Sequence, residues 1–284
     1  MATIHRVRRR WTGEYDLIGT VVDSDGVEAS ATSGTVSIFD SAGTAIVTDG
    51  ECVPDSGALT YALDVDLAPL DAYQCRWTAA VGAETVAFRT QFELVGDYLF
   101  EISELRTHDQ AAFASVTEYP TDKLMAARVS VEQNMEQLAG VAFVPRGARE
   151  KHHGKGTQHL MLRNPRVTDV YSIVENGTAW TPEQVAAVQI RHGMLYRAGH
   201  EWDRDAVYVI HYEHGHTNVP GPVRQAGLIL AAEYLITSNL RSRATSESTD
   251  GGIIRYGYAA PGRTGIPFVD GVIGDYKERA VWVG

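Results

Sequence analysis

From residue 11 to about residue 100, apolar and polar residues alternate in short runs separated by Gly, Asp, Ser and Thr. Residues 15–22 end at the turn signal Asp23-Ser24-Asp25-Gly26, and residues 35–40 lead into Ser41-Ala42-Gly43. Runs at 59–63, 73–79 and 84–92 follow. Period-two runs at this spacing, without a helical stripe, predict a small antiparallel β-sandwich with one face of each strand buried. In Tyr73-Gln74-Cys75-Arg76-Trp77, Cys75 and Trp77 share a face and are expected in its core.

Past residue 100 the period changes. Tyr119-Pro120-Thr121-Asp122 marks a helix start, with Thr121 or Asp122 as the expected cap. Leu124, Ala127, Val131, Met135 and Leu138 then form one apolar stripe along a helix over about 121–140. Lys123, Arg128, Glu132 and Glu136 are expected on its opposite, solvated side. A β-rich insert occupies about 145–217, with a hairpin turn signal at Asn176-Gly177. Val219-Pro220-Gly221-Pro222 opens a helix over about 223–241, apolar almost all round and so expected to be buried in its own fold or between subunits. A segment rich in Ser, Thr, Asp and Gly, about 242–263, is predicted to be flexible. Gly265-Ile266-Pro267 starts a last helix, about 267–280, before the apolar run Val281-Trp282-Val283. The predicted fold is α+β in two domains: a sandwich over 11–100, and a body of three main helices with a β-hairpin insert over 101–284.

Charge sharpens the seam. Residues 1–10 carry four Arg and no acid; residues 11–100 carry two Arg against fifteen Asp and Glu. The later body is nearly neutral, within a net charge of −11. The acidic domain repels nucleic acid, and the basic arm at 1–10 is expected to be a frayed, solvated terminus. Apolar content of 44% supports a packed core. No stretch approaches a membrane span of about 20 apolar residues. Trp11 and Thr12 follow the basic run where a secretory signal needs an apolar region, so no such signal is expected. Cys52 and Cys75 are expected as free thiols.

Candidate chemistry is thin. In His211-Tyr212-Glu213-His214-Gly215-His216, His211 and Glu213 fall on one strand face and the other histidines elsewhere, without zinc-site spacing. His152-His153 beside Gly154-Lys155-Gly156 lacks phosphate-loop spacing. No catalytic residue, metal ligand or cofactor is expected, and the chain is expected not to be an enzyme.

Two resemblances bear on architecture and role. The Tyr73–Trp77 run resembles the Tyr-x-Cys segment of an immunoglobulin-type strand, making the sandwich Ig-like. The order of parts over about 120–280 resembles the head-tail connector (adaptor) family of tailed bacteriophages. The match rests on residues 131–146, a helix running into Phe143-Val144-Pro145-Arg146, and on residues 160–170, a strand, the turn at Asn164-Pro165 and another strand. It continues through the strand 207–216, Val219-Pro220, the helix after it and Gly265-Ile266-Pro267-Phe268-Val269-Asp270. The short adaptors lack the N-terminal sandwich, and the resemblance leaves its role and position open.

The family implies a virion protein of the neck, assembled in host cytoplasm into a homo-oligomeric ring, commonly twelvefold. Its partners are then other copies of itself, the portal protein, a tail-side neck protein (stopper or tail terminator) and viral DNA passing through the lumen without sequence-specific binding. Portal contact is expected from Ile266, Phe268, Val269, Ile273, Tyr276, Val281, Trp282 and Val283. Ring packing is expected from Val223, Leu228, Leu230, Tyr234 and Leu235. The alternatives are a virion or cell-surface binding protein whose sandwich recognises a protein or glycan, and a metal hydrolase built on the histidine cluster.

Overall fold

The computed structural model describes residues 5–9, 14–23, 25–64, 69–164, 166–191, 193–237, 246–249, 252–255 and 263–277. In chain order its elements are β1 (His5–Arg8), β2 (Glu14–Thr20), β3 (Ser33–Phe39), β4 (Ala45–Glu51), β5 (Val53–Asp55), β6 (Ala58–Asp64), β7 (Ala72–Val81) and β8 (Glu84–Val95). Two helices follow, α1 (Ile102–Ala111) and α2 (Thr121–Ala139). Then come β9 (Arg146–His153), β10 (His159–Met161), β11 (Val167–Glu175), β12 (Thr178–Ala179), α3 (Pro182–Ala186), β13 (Gln189–Arg191), β14 (Met194–Tyr196) and β15 (Val207–His214). The chain continues through α4 (Gly221–Thr237), β16 (Ser246–Thr249), β17 (Gly252–Arg255) and α5 (Pro267–Tyr276).

The chain forms two compact units, each made of two stretches: 1–97 with 145–215, and 98–144 with 216–284. This division departs from the domain limits that the change of period suggested. Of the β-rich insert, β9, β11, β12 and β15 join the sheet of the N-terminal strands, while β10, β14 and β13 form a small sheet of their own. The nine-stranded sheet runs β12-β11-β15-β9-β8-β7-β3-β4, with β1 also on β8. The join lies where Val95 of β8 pairs with Arg146 of β9 and the Gly96 N–H donates to the Pro145 carbonyl at 2.9 Å. Residues 98–144 are thus inserted between two neighbouring strands, a long-range pairing that local periodicity cannot register.

In unit 1, β2, β6 and β5 form a second sheet. Leu17, Leu59 and Leu63 from it pack with Val36, Ile38, Tyr73, Cys75, Trp77 and Phe92 of the large sheet, giving the sandwich core. Cys75 and Trp77 are both buried there, and both cysteines are free thiols. Burial pushes each thiol up to about 11, which keeps it protonated. A second core gathers Leu160, Ile173, Leu195, Trp202, Tyr208, Ile210 and Tyr212 on the even face of β15. The Asn176-Gly177 turn joins β11 to β12 with both residues at positive φ, as a two-residue hairpin of primed type requires.

The basic arm is not frayed. Residues 5–8 form β1, parallel to β8, with Val7 fully buried and Arg6 2% exposed. Arg6 Nε donates to Glu93 Oε2 at 3.1 Å, and Arg146 Nη2 reaches the same oxygen at 3.1 Å. Arg8 pairs with Asp97 at 3.2 Å and Arg9 with Glu213 at 3.5 Å. The arm is held by the β1–β8 ladder, the buried Val7 and these three carboxylates of its own unit.

Unit 2 is built from α1, α2, α4 and α5 around Leu105, Phe113, Leu124, Ala127, Val131, Met135, Val223, Leu235, Val269 and Ile273. Helix α1, which the periodicity missed, starts in a Glu101–Glu104 capping box. Helix α2 begins after Pro120 rather than at a Thr or Asp cap, and ends at Gly140 in the left-handed conformation. Arg128 and Glu132, expected in solvent, are 2% and 1% exposed. Glu132 accepts the Leu99 N–H at 2.8 Å; Arg128 donates to the Phe100 carbonyl at 3.3 Å and lies 3.5 Å over the Tyr98 ring. Chain entering α1 has no ladder of its own, so its backbone groups are satisfied by charged side chains of α2. In the segment expected to be flexible, Ser246–Thr249 and Gly252–Arg255 pair as an antiparallel hairpin; its other positions up to residue 262 lie outside the described residues.

Candidate interaction surfaces

The histidine cluster is structural in geometry. On β15, His211 and Glu213 share the odd face. Arg149 Nη2 donates to His211 Nδ1 at 3.3 Å, and His211 Nε2–H then donates to the Leu70 carbonyl at 3.1 Å. Arg149 also meets Asp40 at 3.1 Å and Asp71 at 3.5 Å. Burial holds the His211 imidazole below its usual range, opposed by Asp71 and reinforced by Arg149. Tyr171 stacks edge-on against His211 and donates to Glu213 at 2.5 Å. The network ties the residue 69–71 crossing, β3, β9 and β15 into one sheet face. Gly147 belongs to it by space alone: a Cβ there would stand 1.6 Å from the Leu70 carbonyl oxygen.

On the even face, Tyr212 donates to Glu150, which also accepts from Arg163 N–H and Asn164 Nδ2 and meets His152 at 2.7 Å. Burial raises the Glu150 carboxyl, but those donors outweigh it and hold the group below its ordinary value. His214, 7% exposed, is lowered to about 4 by burial. His216 instead lies in unit 2, 6.0 Å from Phe143 and 5.8 Å from Tyr276, ring to ring. Among the described residues no three His, Cys, Asp or Glu side chains gather as a metal site. Tyr15, Tyr61 and Trp77 pack on the sandwich core.

The surfaces expected to meet partners divide sharply by burial. On α5, Val269 and Ile273 are 0% and 6% exposed and face the core of unit 2, with Ile266 and Tyr276 packed beside them. Phe268 is 45% exposed. Val281, Trp282 and Val283 lie outside the described residues. On α4, Val223 and Leu235 are core, Leu228 and Leu230 pack against it, and Tyr234 is 49% exposed. Ile236, beside it and not singled out in the sequence, is 46% exposed. An all-round apolar helix carries no signal of which side faces out. Only the packing of α2 and α5 against α4 decides that.

The family model of the head completion protein matches residues 107–256, just over half of the chain. The chain belongs to the head completion protein family. The match starts inside α1 and takes in α2, β9 to β15, α4 and the β16–β17 hairpin; the N-terminal strands β1 to β8 and helix α5 lie outside it. No curated protein matches the chain. A head completion protein has a structural role in the bacteriophage head and a place in the virion, which is not an enzyme class, and implies contact with other head and tail proteins.

Proposed function

We propose that this head completion protein forms a ring, dodecameric by resemblance to the connector family, that joins the portal vertex to the tail and lets DNA through. The observation that carries the reading is the apolar exposure left on two helices of unit 2. Tyr234 and Ile236 on α4 and Phe268 on α5 stand in solvent on helices whose other apolar residues are consumed by the core. Head-to-tail contacts through such surfaces close into rings when the rotation permits. In this reading Tyr234, with Leu230 one turn before it, and Ile236 on the other side of α4 meet neighbouring copies, and Phe268 faces the portal. The net charge of −11 suits a lumen that passes DNA without gripping it.

Electron microscopy of the protein mixed with its portal tests this. A coaxial ring is expected, and a Phe268→Asp variant should lose the portal while keeping its thermal transition. A persistent monomer would overturn the ring. A point substitution is used because removing α5 whole would take Val269 and Ile273 out of the core.

A second reading has its own observation. On the outer face of the small sheet, Ile18, Thr60 and Val53 lie in register across three strands, with Ile18 64% and Val53 69% exposed. This apolar row on an acidic domain suits recognition of another protein by the sandwich. Loss of a co-purifying virion partner in an Ile18→Asp, Val53→Asp variant with intact rings would favour it.

A further inference from the structure

Charge in unit 1 is divided between its two small sheets. Residues 11–75, which include β2, β5 and β6, carry twelve Asp and Glu and no Lys or Arg. Residues 151–168 and 184–200, which include β10, β13 and β14, carry six Lys and Arg and no Asp or Glu. The acidic sheet packs on β3 and the basic sheet beside β11, five strand spacings apart in the large sheet. At about 4.8 Å per strand that is roughly 24 Å, so the two faces of one copy do not meet.

Each small sheet turns one face to a core and the other outward. In the acidic sheet Leu17, Leu59 and Leu63 point inward, and Ile18, Thr60 and Val53 form the outward row. Asp16 stands one row to one side of it and Asp55 one row to the other, both exposed. In the basic sheet Leu160 and Leu195 are buried, while Met161, Met194 and Tyr196 lie on the opposite face, with Met161 55% exposed. Arg191 lies 3.9 Å over the Tyr196 ring, and the exposed Arg163 continues the alternation past Met161. Both faces have an apolar centre, set among carboxylates on one and guanidiniums on the other. Met, Tyr and Arg are also residues that protein interfaces favour.

We propose that the acidic sheet of one copy docks face to face on the basic sheet of the next. Ile18 and Val53 then pack against Met161, Met194 and Tyr196, with Asp16 and Asp55 opposite Arg163 and Arg191. Like faces repel, so two copies do not meet through the same face, and the contact is heterologous. Complementary faces at well-separated places on one sheet build a head-to-tail series, which closes when the rotation permits. The sandwich face read above as recognising a protein thereby gains a sister subunit as its partner, an assignment that rests on the ring reading for a neighbour on each side.

Sedimentation of the full chain over a concentration series, and electron microscopy with the portal, test the contact through two charge-reversed variants. One carries Asp16→Arg and Asp55→Arg, the other Arg163→Asp and Arg191→Asp. Each alone should associate about tenfold more weakly than the parent or worse, since each brings like charges face to face. An equimolar mixture should regain association, because in alternating copies reversed faces match reversed faces and native faces match native ones. Misfolding cannot mimic that rescue. Variants that associate like the parent, or a mixture that exceeds neither variant alone both in solution and on the portal, overturn the proposal. So do rings left intact by Ile18→Asp, Val53→Asp while a different virion partner is lost. Portal rings that survive both reversals sink this contact and leave the ring reading standing. Rescue by mixing without a ring on the portal supports the contact and sinks the ring reading.

Discussion

Arg6 discriminates between a solvated arm and a strand of the sheet. Its side chain is 1% exposed, and its Nε–H shares the Glu93 carboxylate with Arg146. Arg6→Ala removes a hydrogen bond between charged groups, about 1.5–3 kcal/mol, and strips the buried stem from β1. Glu93 keeps Arg146 and is 19% exposed, so the cost stays below the roughly 3–5 kcal/mol of an orphaned buried charge. We expect about 2–3 kcal/mol in total. Arg8 is the internal control. It pairs with Asp97 with both side chains about a third exposed, and pairs of that kind contribute roughly 0–1 kcal/mol. With a urea slope of about 2 kcal/mol per molar, Arg6→Ala moves the midpoint down by about 1 M and Arg8→Ala by less than about 0.5 M. Tryptophan fluorescence reads mainly the right unit, since of the five tryptophans only Trp282 falls outside the stretches of unit 1. Equal shifts for the two variants would refute the buried strand.

His214 carries a pH prediction. Its folded pKa, about 4, lies below the ordinary 6.5, so the unfolded chain binds the extra proton first as pH falls. Its stabilising contribution is present above about pH 6.5 and is lost progressively toward pH 4, on the order of 3 kcal/mol at the full shift. The urea midpoint should fall between pH 7 and 5 in the parent and much less in His214→Asn; parallel pH profiles would count against the assignment. At glycines, Gly147→Ala should destabilise by about 1–3 kcal/mol or more, because the Leu70 carbonyl occupies the methyl's place. Gly271→Ala, with open space in helix α5, should stabilise by about 0.5–1 kcal/mol. Thermal melts that rank these two the other way would show that the crossing at residue 70 is misplaced.

Much of the local structure is legible in the residues. Alternation placed β2, β3, β6, β7 and β8, the Asn176-Gly177 pair placed the β11–β12 hairpin, and the 3.6 period with Gly140 bounded α2. Those features depend on neighbours within a few positions, where steric preference and side-chain period act directly. The connector resemblance also rested on such local order, and the family match falls across the same stretch.

Tertiary structure decided what depends on distant partners. Nothing near Arg6, Arg128 or Glu132 announces burial; Glu93 lies 87 positions from Arg6, and Leu99 lies 33 from Glu132. Charge in a sequence defaults to solvent, and only a specific counter-charge or an unsatisfied backbone group reverses that. The same holds for α4 and α5, where apolar residues fill most positions and packing alone separates Val269 from Phe268. The division into units is the largest such case. Residues 11–100 and the insert read as separate blocks, but the single pairing of Val95 with Arg146 carries one sheet through both. A β-ladder satisfies backbone groups whatever the separation along the chain, and the period of a strand carries no record of its partner.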